Sequence, residues 1–138
     1  MELAMDPEYL PFTELVTAVS ESVEYVKLCG ADVAVLASGS GQLPSDLVTT
    51  AYEFCEYVVE DCLDNLSEMA VFMGKTGGQN RLSLRIMIQA DDFTLRQFPD
   101  RKGLIKYNGN VALTKEQSDL IIALTLSENV HQEGGASS

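Results

Sequence analysis

The stretch "AYEFCEYVVEDCLDNLSEMAVFM", residues 51–73, decides how the rest of the chain is read. Ala51, Cys55, Val58, Val59, Cys62, Leu66, Met69 and Met73 recur with a period near 3.6, which predicts one continuous helix with an apolar stripe. Upstream, Leu47 and Val48 extend the stripe, and Pro44 with Ser45 supplies an opening and a cap, so the helix is expected from 45 to 73. "GKTGG" (74–78) marks its end. At the edge of the stripe stand Asp61, Asp64 and Asn65. Polar groups beside a core face need partners, so Asp61 and Asn65 either hold a ligand or face water.

Outward from this helix the pattern changes. "NRLSLRIMIQ" (80–89) has period two: Leu82, Leu84, Ile86 and Ile88 point one way and Arg81, Ser83, Arg85 and Gln89 the other, as in a half-exposed antiparallel strand. Asp91-Asp92 reads as a turn and "FTLRQF" (93–98) as a short partner strand, while "PDRKGLIK" (99–106) reads as irregular. Val111–Leu113 and Leu120–Leu126 form an expected hairpin around "TKEQSD". On the N-terminal side, "FTELVTAVSESVEYVKLCG" places Leu15, Val16, Val19, Val23, Val26 and Leu28 at helical spacing, with Thr13 as N-cap and Gly30 as stop. "ADVAVLA" (31–37) follows as a strand that runs into the loop "SGSGQ".

The order helix, strand, long helix and four strands predicts an α/β (α+β) two-layer sandwich. Its two main helices pack on one face of a mixed, mostly antiparallel sheet. Residues 13–128 form the domain, 1–12 a loose lead-in containing Pro7 and Pro11, and 129–138 an unstructured tail.

Composition excludes several classes of function. With 138 residues there is room for one core, and 46 % hydrophobic residues suffice to build it. The formal charge of −12 repels phosphate backbones and anionic lipid, so neither nucleic acid nor a membrane surface is an expected partner. Of nine basic residues, only Lys27 precedes Lys75, which leaves the N-terminal half strongly acidic. Cys29, Cys55 and Cys62 cannot all pair, and no Cys-x-x-Cys unit occurs, so buried reduced thiols are expected in place of a disulfide framework or zinc site. The single histidine, His131, lies in the tail and is assigned no role. No apolar run approaches the ~20 residues of a membrane span, and "MELAMDPEY" is no secretory signal, so a soluble chain is expected; with reduced thiols its place is cytoplasmic, either by itself or as the cytoplasmic part of a membrane-bound protein.

The segment "SESVEYVKLCGADVAVLASGSGQLPSDLVTTAYEFCEYVVEDCLDNL" (20–66) resembles the start of the ATP-binding domain of bacterial sensor histidine kinases, within the gyrase, chaperone, histidine kinase and MutL-type ATPase superfamily. It is most similar to the short-helix and divergent clostridial members. The resemblance spans residues 13–126. It identifies Asp61 and Asn65, four apart, with the acidic residue and asparagine of that family's N-box. It thereby implies ATP and magnesium as cofactors, Asn65 as a magnesium and nucleotide ligand, and Asp61 as the catalytic acidic residue that polarises a water or the acceptor. Residues i and i+4 share a helix side, and hard oxygen ligands suit magnesium. The implied partners are the histidine-bearing dimerisation helices of the same kinase or a response regulator, within two-component signal transduction.

Departures from the family are large. Asp61 replaces a glutamate, and Met69 stands where many members carry histidine. "QADDFTLRQFPDRKG" offers no Asp-x-Gly-x-Gly box, and neither "GLIKYNGNV" nor "ALTKEQSD" supplies the later glycine-rich elements. Loss of the adenine-reading aspartate removes a charge-assisted hydrogen bond worth ~1.5–3 kcal/mol, about ten- to hundred-fold in affinity. The expectation is an ATPase-type kinase domain with weakened or lost nucleotide chemistry, a pseudokinase in the limit. The alternative is a non-catalytic protein-interaction module derived from it. "MGKTGG" does not make a phosphate loop, because the upstream glycine and the strand-to-helix setting are missing. Glu53, Glu56 and Glu60 are expected on the solvent side of the long helix.

Overall fold

Residues 8–62, 66–76, 81–90, 101–117 and 119–128 are described by the computed structural model of the chain. The short strand β1 (Tyr9–Pro11) leads directly into helix α1 (Phe12–Leu28). The lead-in is therefore not loose at its end. β1 pairs antiparallel with β3 (Gln42–Pro44), Tyr9 opposite Pro44, and the Ser45 amide donates to the Glu8 carbonyl. Thr13 is no N-cap. Pro11 occupies the cap position without a side-chain hydrogen bond, and the Phe12 amide instead donates to the Gly41 carbonyl. A loop carbonyl thus satisfies one of the donors that every helix start leaves open.

α1 buries Phe12, Leu15, Val19, Val23 and Val26, whereas Leu28 is exposed beyond the stripe. The helix stops as expected. Gly30 takes a positive φ of 103°, its amide donates to Lys27 and the Ala31 amide to Val26, the paired bonds of a Schellman motif. β2 (Asp32–Ser38) follows, and then α2 (Ser45–Cys62).

The largest correction concerns residues 51–73. α2 ends at Cys62, and residues Leu66–Thr76 form a strand, β4. Met69, Val71, Met73 and Lys75 are buried alternately, so period two governs here and not period 3.6. The methionines satisfy both patterns because they lie four apart; Val71 between them breaks the tie. Pairing wins energetically, since β4 sits inside the sheet between β2 and β5 (Arg81–Ala90) and satisfies its backbone on both sides.

β5 matches its expected alternation, with Leu82, Leu84, Ile86 and Ile88 buried. The expected turn at Asp91-Asp92 and strand at 93–98 lie outside the described residues. Within "PDRKGLIK", Arg101–Lys106 is a short helix, α3, where irregular chain was expected. Its exit is tight: the Gly109 amide donates to Leu104 at 2.6 Å, and a Cβ on Gly109 would meet Leu104 at 2.8 Å. The hairpin β6 (Asn110–Glu116) and β7 (Asp119–Ser127) is as expected, with a turn narrower than "TKEQSD" that places Gln117 at φ 57°.

The sheet order is β2-β4-β5-β7-β6, with β2 and β4 parallel and the remaining pairs antiparallel. One face, carrying Met69, Val71, Met73, the four β5 residues and Leu120, Ile122, Leu124 and Leu126, packs against the apolar sides of α1 and α2. This is the two-layer α/β sandwich expected. Cys55 is buried in that core and outside any disulfide, as expected, whereas Cys29 at the end of α1 is exposed where a buried thiol was expected.

Candidate functional site

Successive residues of a helix are turned by about 100°, so Asp46, Thr50, Glu53, Tyr57 and Asp61 share one flank of α2, turned away from α1. Asp46 lies in the first turn and Asp61 in the last, separated by roughly 22 Å at ~1.5 Å per residue. This flank is polar where the helix meets α3 and half-buried at Tyr57 and Asp61.

At the first turn the Asp46 carboxylate accepts hydrogen bonds from the Lys106 ammonium and the Tyr107 hydroxyl. Burial works against its charge, yet the two hydrogen bonds and the nearby ammonium outweigh that and hold its pKa below the ordinary carboxylate value. Tyr107 is 3 % exposed, and burial followed by the neighbouring carboxylate pushes its phenol pKa well up. The Tyr107 carbonyl accepts from the Ser127 amide at 2.7 Å, which fixes the end of α3 to the end of β7. Thr49 and Thr50 donate to the carbonyls of Ser45 and Asp46, at 3.0 and 2.9 Å.

These residues, with Lys102 and Gly103, line a cleft of about 340 Å³ between α2 and α3. That volume falls within the ~300–1,000 Å³ of small-ligand sites. Lys102 and Lys106 against Asp46 leave the cleft with one net positive charge, on a chain of −12. Such a donor set suits an anionic ligand.

The residues singled out in the sequence are not all brought here. Asp61 is half-buried at the far end of the same flank, too distant to share a phosphate with Lys102. Asn65 lies outside the described residues; Leu66, which follows it, pairs with Ala90 at the end of β5. Met69 lies buried on a strand and not on the helix, so the position expected for a family histidine is a core position. Lys75 and Thr76 of "MGKTGG" close β4, and the next element is a strand, not the helix that a phosphate loop would open. Glu53 and Glu60 are exposed as expected. Glu56 is half-buried and accepts from the Tyr52 hydroxyl at 2.7 Å, a bond that raises the Tyr52 pKa. His131 lies outside the described residues. Asp46, Lys106 and Tyr107 were missed. Asp46 had a local signal, an acidic side chain in a helix's first turn, but nothing in the sequence linked it to residues 60 positions away.

Solved structures share this fold. The catalytic domain of histidine kinase ThkA superposes with a TM-score of 0.66 at 10 % identity, covering 88 % of this chain and 96 % of that one. The chain has the fold of a histidine kinase catalytic domain. The histidine kinase domain of the blue-light activated kinase of Erythrobacter litoralis gives 0.67 at 10 % identity, over 91 % of this chain and 69 % of that one. The mycobacterial sensor histidine kinase MprB gives 0.61 at 13 %, over 88 % and 97 %. No family model matches the sequence, and no curated protein matches it. At these identities the kinase likeness is one of backbone, carried by the same packing of helices on a mixed sheet.

Among the described residues no group of three His, Cys, Asp or Glu side chains could hold a metal ion unaided. Magnesium in a kinase-type fold does not require one, because it is bound by one or two protein oxygens together with substrate phosphates. Among the same residues no helix is long and apolar enough to cross a membrane.

Proposed function

We propose that this chain is the ATP-binding, catalytic-type domain of a two-component sensor histidine kinase, with weakened nucleotide chemistry. The kinase-type fold carries this reading. Asn65 would hold magnesium through its amide oxygen, and Asp61 would polarise a water or the phospho-acceptor. Lys102 and Lys106 lie at the opposite end of α2, beside Asp46, and take no part in that phosphate contact. ATP supplies the phosphoryl group when bound; the chain's part is positioning and charge compensation. The phospho-acceptor would be a histidine on the dimerisation helices of the same kinase, a response regulator would act downstream, and the domain would be cytoplasmic.

Calorimetric titration of ATP with and without magnesium tests this, on the chain and on its Asn65→Ala and Asp61→Ala variants. Magnesium-dependent binding in the high-micromolar to millimolar range, lost in Asn65→Ala, supports the reading. No heat at millimolar ATP removes the nucleotide role and leaves the interaction module.

A further inference from the structure

The sheet has a second face, turned away from the helices, and the ladder registers order it into rows. Asp32 pairs with Glu68, Glu68 with Gln89, Gln89 with Asp119, and Asp119 with Glu116. All five project on the outer face, because the alternate residues of β4, β5 and β7 are the buried ones. Four carboxylates and one amide therefore cross the whole sheet in a line. One step along the strands the row becomes Ala34, Ala70, Met87, Ile121 and Thr114. Two steps along it is Leu36, Phe72, Arg85, Ala123 and Ala112, where the Arg85 guanidinium lies over the Phe72 ring at 5.0 Å and Leu36 is 54 % exposed. A groove of about 430 Å³ joins the acidic row to the first apolar row.

We infer that this face docks an amphipathic helix of a partner protein, its apolar stripe over the Ala34 and Leu36 rows and a lysine- or arginine-rich end over the acidic row. An apolar surface with a one-sided carboxylate border selects such an occupant by charge as well as by area. Adjacent rows are spaced by ~7 Å along the strands, so two to three helical turns would cover both apolar rows and reach the border. A second copy of the chain is the wrong occupant, because two acidic borders on molecules of charge −12 repel. The chain's own remaining segments are wrong as well: 1–7 and 129–138 carry no lysine or arginine, and 91–100 has three aspartates to one arginine.

The test uses a fluorescent helical peptide with a leucine/alanine stripe and a terminal lysine cluster, titrated into the full chain by anisotropy. The chain is compared with Glu68→Gln/Asp119→Asn and with a control of equal charge change on α1, Glu14→Gln/Glu21→Gln. Expected is a loss of about ten-fold in affinity for the sheet variant and less than about two-fold for the control, with methyl NMR shifts confined to the Ala34 and Leu36 rows of the outer face. Equal losses in both variants, shifts on the α1–α2 side, or no binding of the peptide would each overturn the proposal. Both variants retain every apolar contact, and their thermal unfolding verifies that they fold.

Discussion

Tyr107 donates its hydroxyl to Asp46 across 61 positions of sequence, joining the end of α3 to the first turn of α2. This bond closes the floor of the α2–α3 cleft, and Lys106 shares the same carboxylate. A hydrogen bond to a charged acceptor contributes ~1.5–3 kcal/mol when its loss leaves the acceptor short of partners. Asp46 retains Lys106, so Tyr107→Phe should cost only about 1–2 kcal/mol. Urea unfolding should show the midpoint fall with the slope unchanged.

The same pair sets two edges of the pH–stability profile. Asp46 has a folded pKa below its ordinary 3.8, so its contribution is complete above that value and is lost as pH falls through the folded pKa. Tyr107 has a folded pKa above its ordinary 10.0, so its neutral form contributes fully below pH 10 and the contribution fades as pH rises beyond it. Asp46→Asn should flatten the acid limb below about pH 4 and Tyr107→Phe the alkaline limb above about pH 10. Thermal unfolding across pH reads both.

Two glycines with positive φ separate backbone strain from collision. Gly30, at φ 103°, has open space where a Cβ would stand, whereas at Gly39, φ 133°, a Cβ would lie 2.7 Å from the Lys75 carbonyl oxygen. Gly30→Ala should cost ~1–2 kcal/mol from the dihedral alone. Gly39→Ala should cost clearly more, because the loop must also lift from β4. Parallel denaturation curves give the order.

Lys75 is 8 % exposed, with its ammonium against Gly41, and its side chain makes no hydrogen bond or ion pair with another described residue. Lys75→Met keeps the stem and removes the charge. Stability should rise by about 1 kcal/mol, as expected when a buried, poorly compensated polar group is replaced by an apolar one of similar length. A fall in melting temperature would mean that the ammonium has a favourable role in the folded state.

On the outer face, Asp32 and Glu68 stand directly opposite each other in neighbouring strands. Facing like charges destabilise a sheet, so Glu68→Gln should raise stability by up to ~1 kcal/mol, and the gain should shrink in high salt.

Local periodicity carried most of the fold. Leu82 to Ile88 read correctly as a half-buried strand because alternation has no helical counterpart over that length, and Gly30 read correctly as a stop because few other residues adopt its dihedral. The failure at Met69 and Met73 has the opposite cause: a spacing of four suits a helix and a strand alike. The expected helix of about 29 residues already exceeded the usual 8–20. Of the candidate site, only Asp61 could be placed. The Asp46–Tyr107 link was invisible because a contact between distant segments leaves no trace in the spacing of either.

The parallel pairing of β2 with β4 sets an order of assembly. β4 with β5, and β6 with β7, join neighbours along the chain, but β2 reaches β4 only after all of α2 has crossed over the sheet. Contacts that close a long stretch of chain cost the most entropy and form late. The antiparallel C-terminal strands should therefore act as the early-forming unit, with residues 8–44 docking onto them afterwards. By the same logic the amides of β2 should be the first of the sheet to exchange with solvent in the native protein, opening as one cooperative piece while β5 and β7 stay closed.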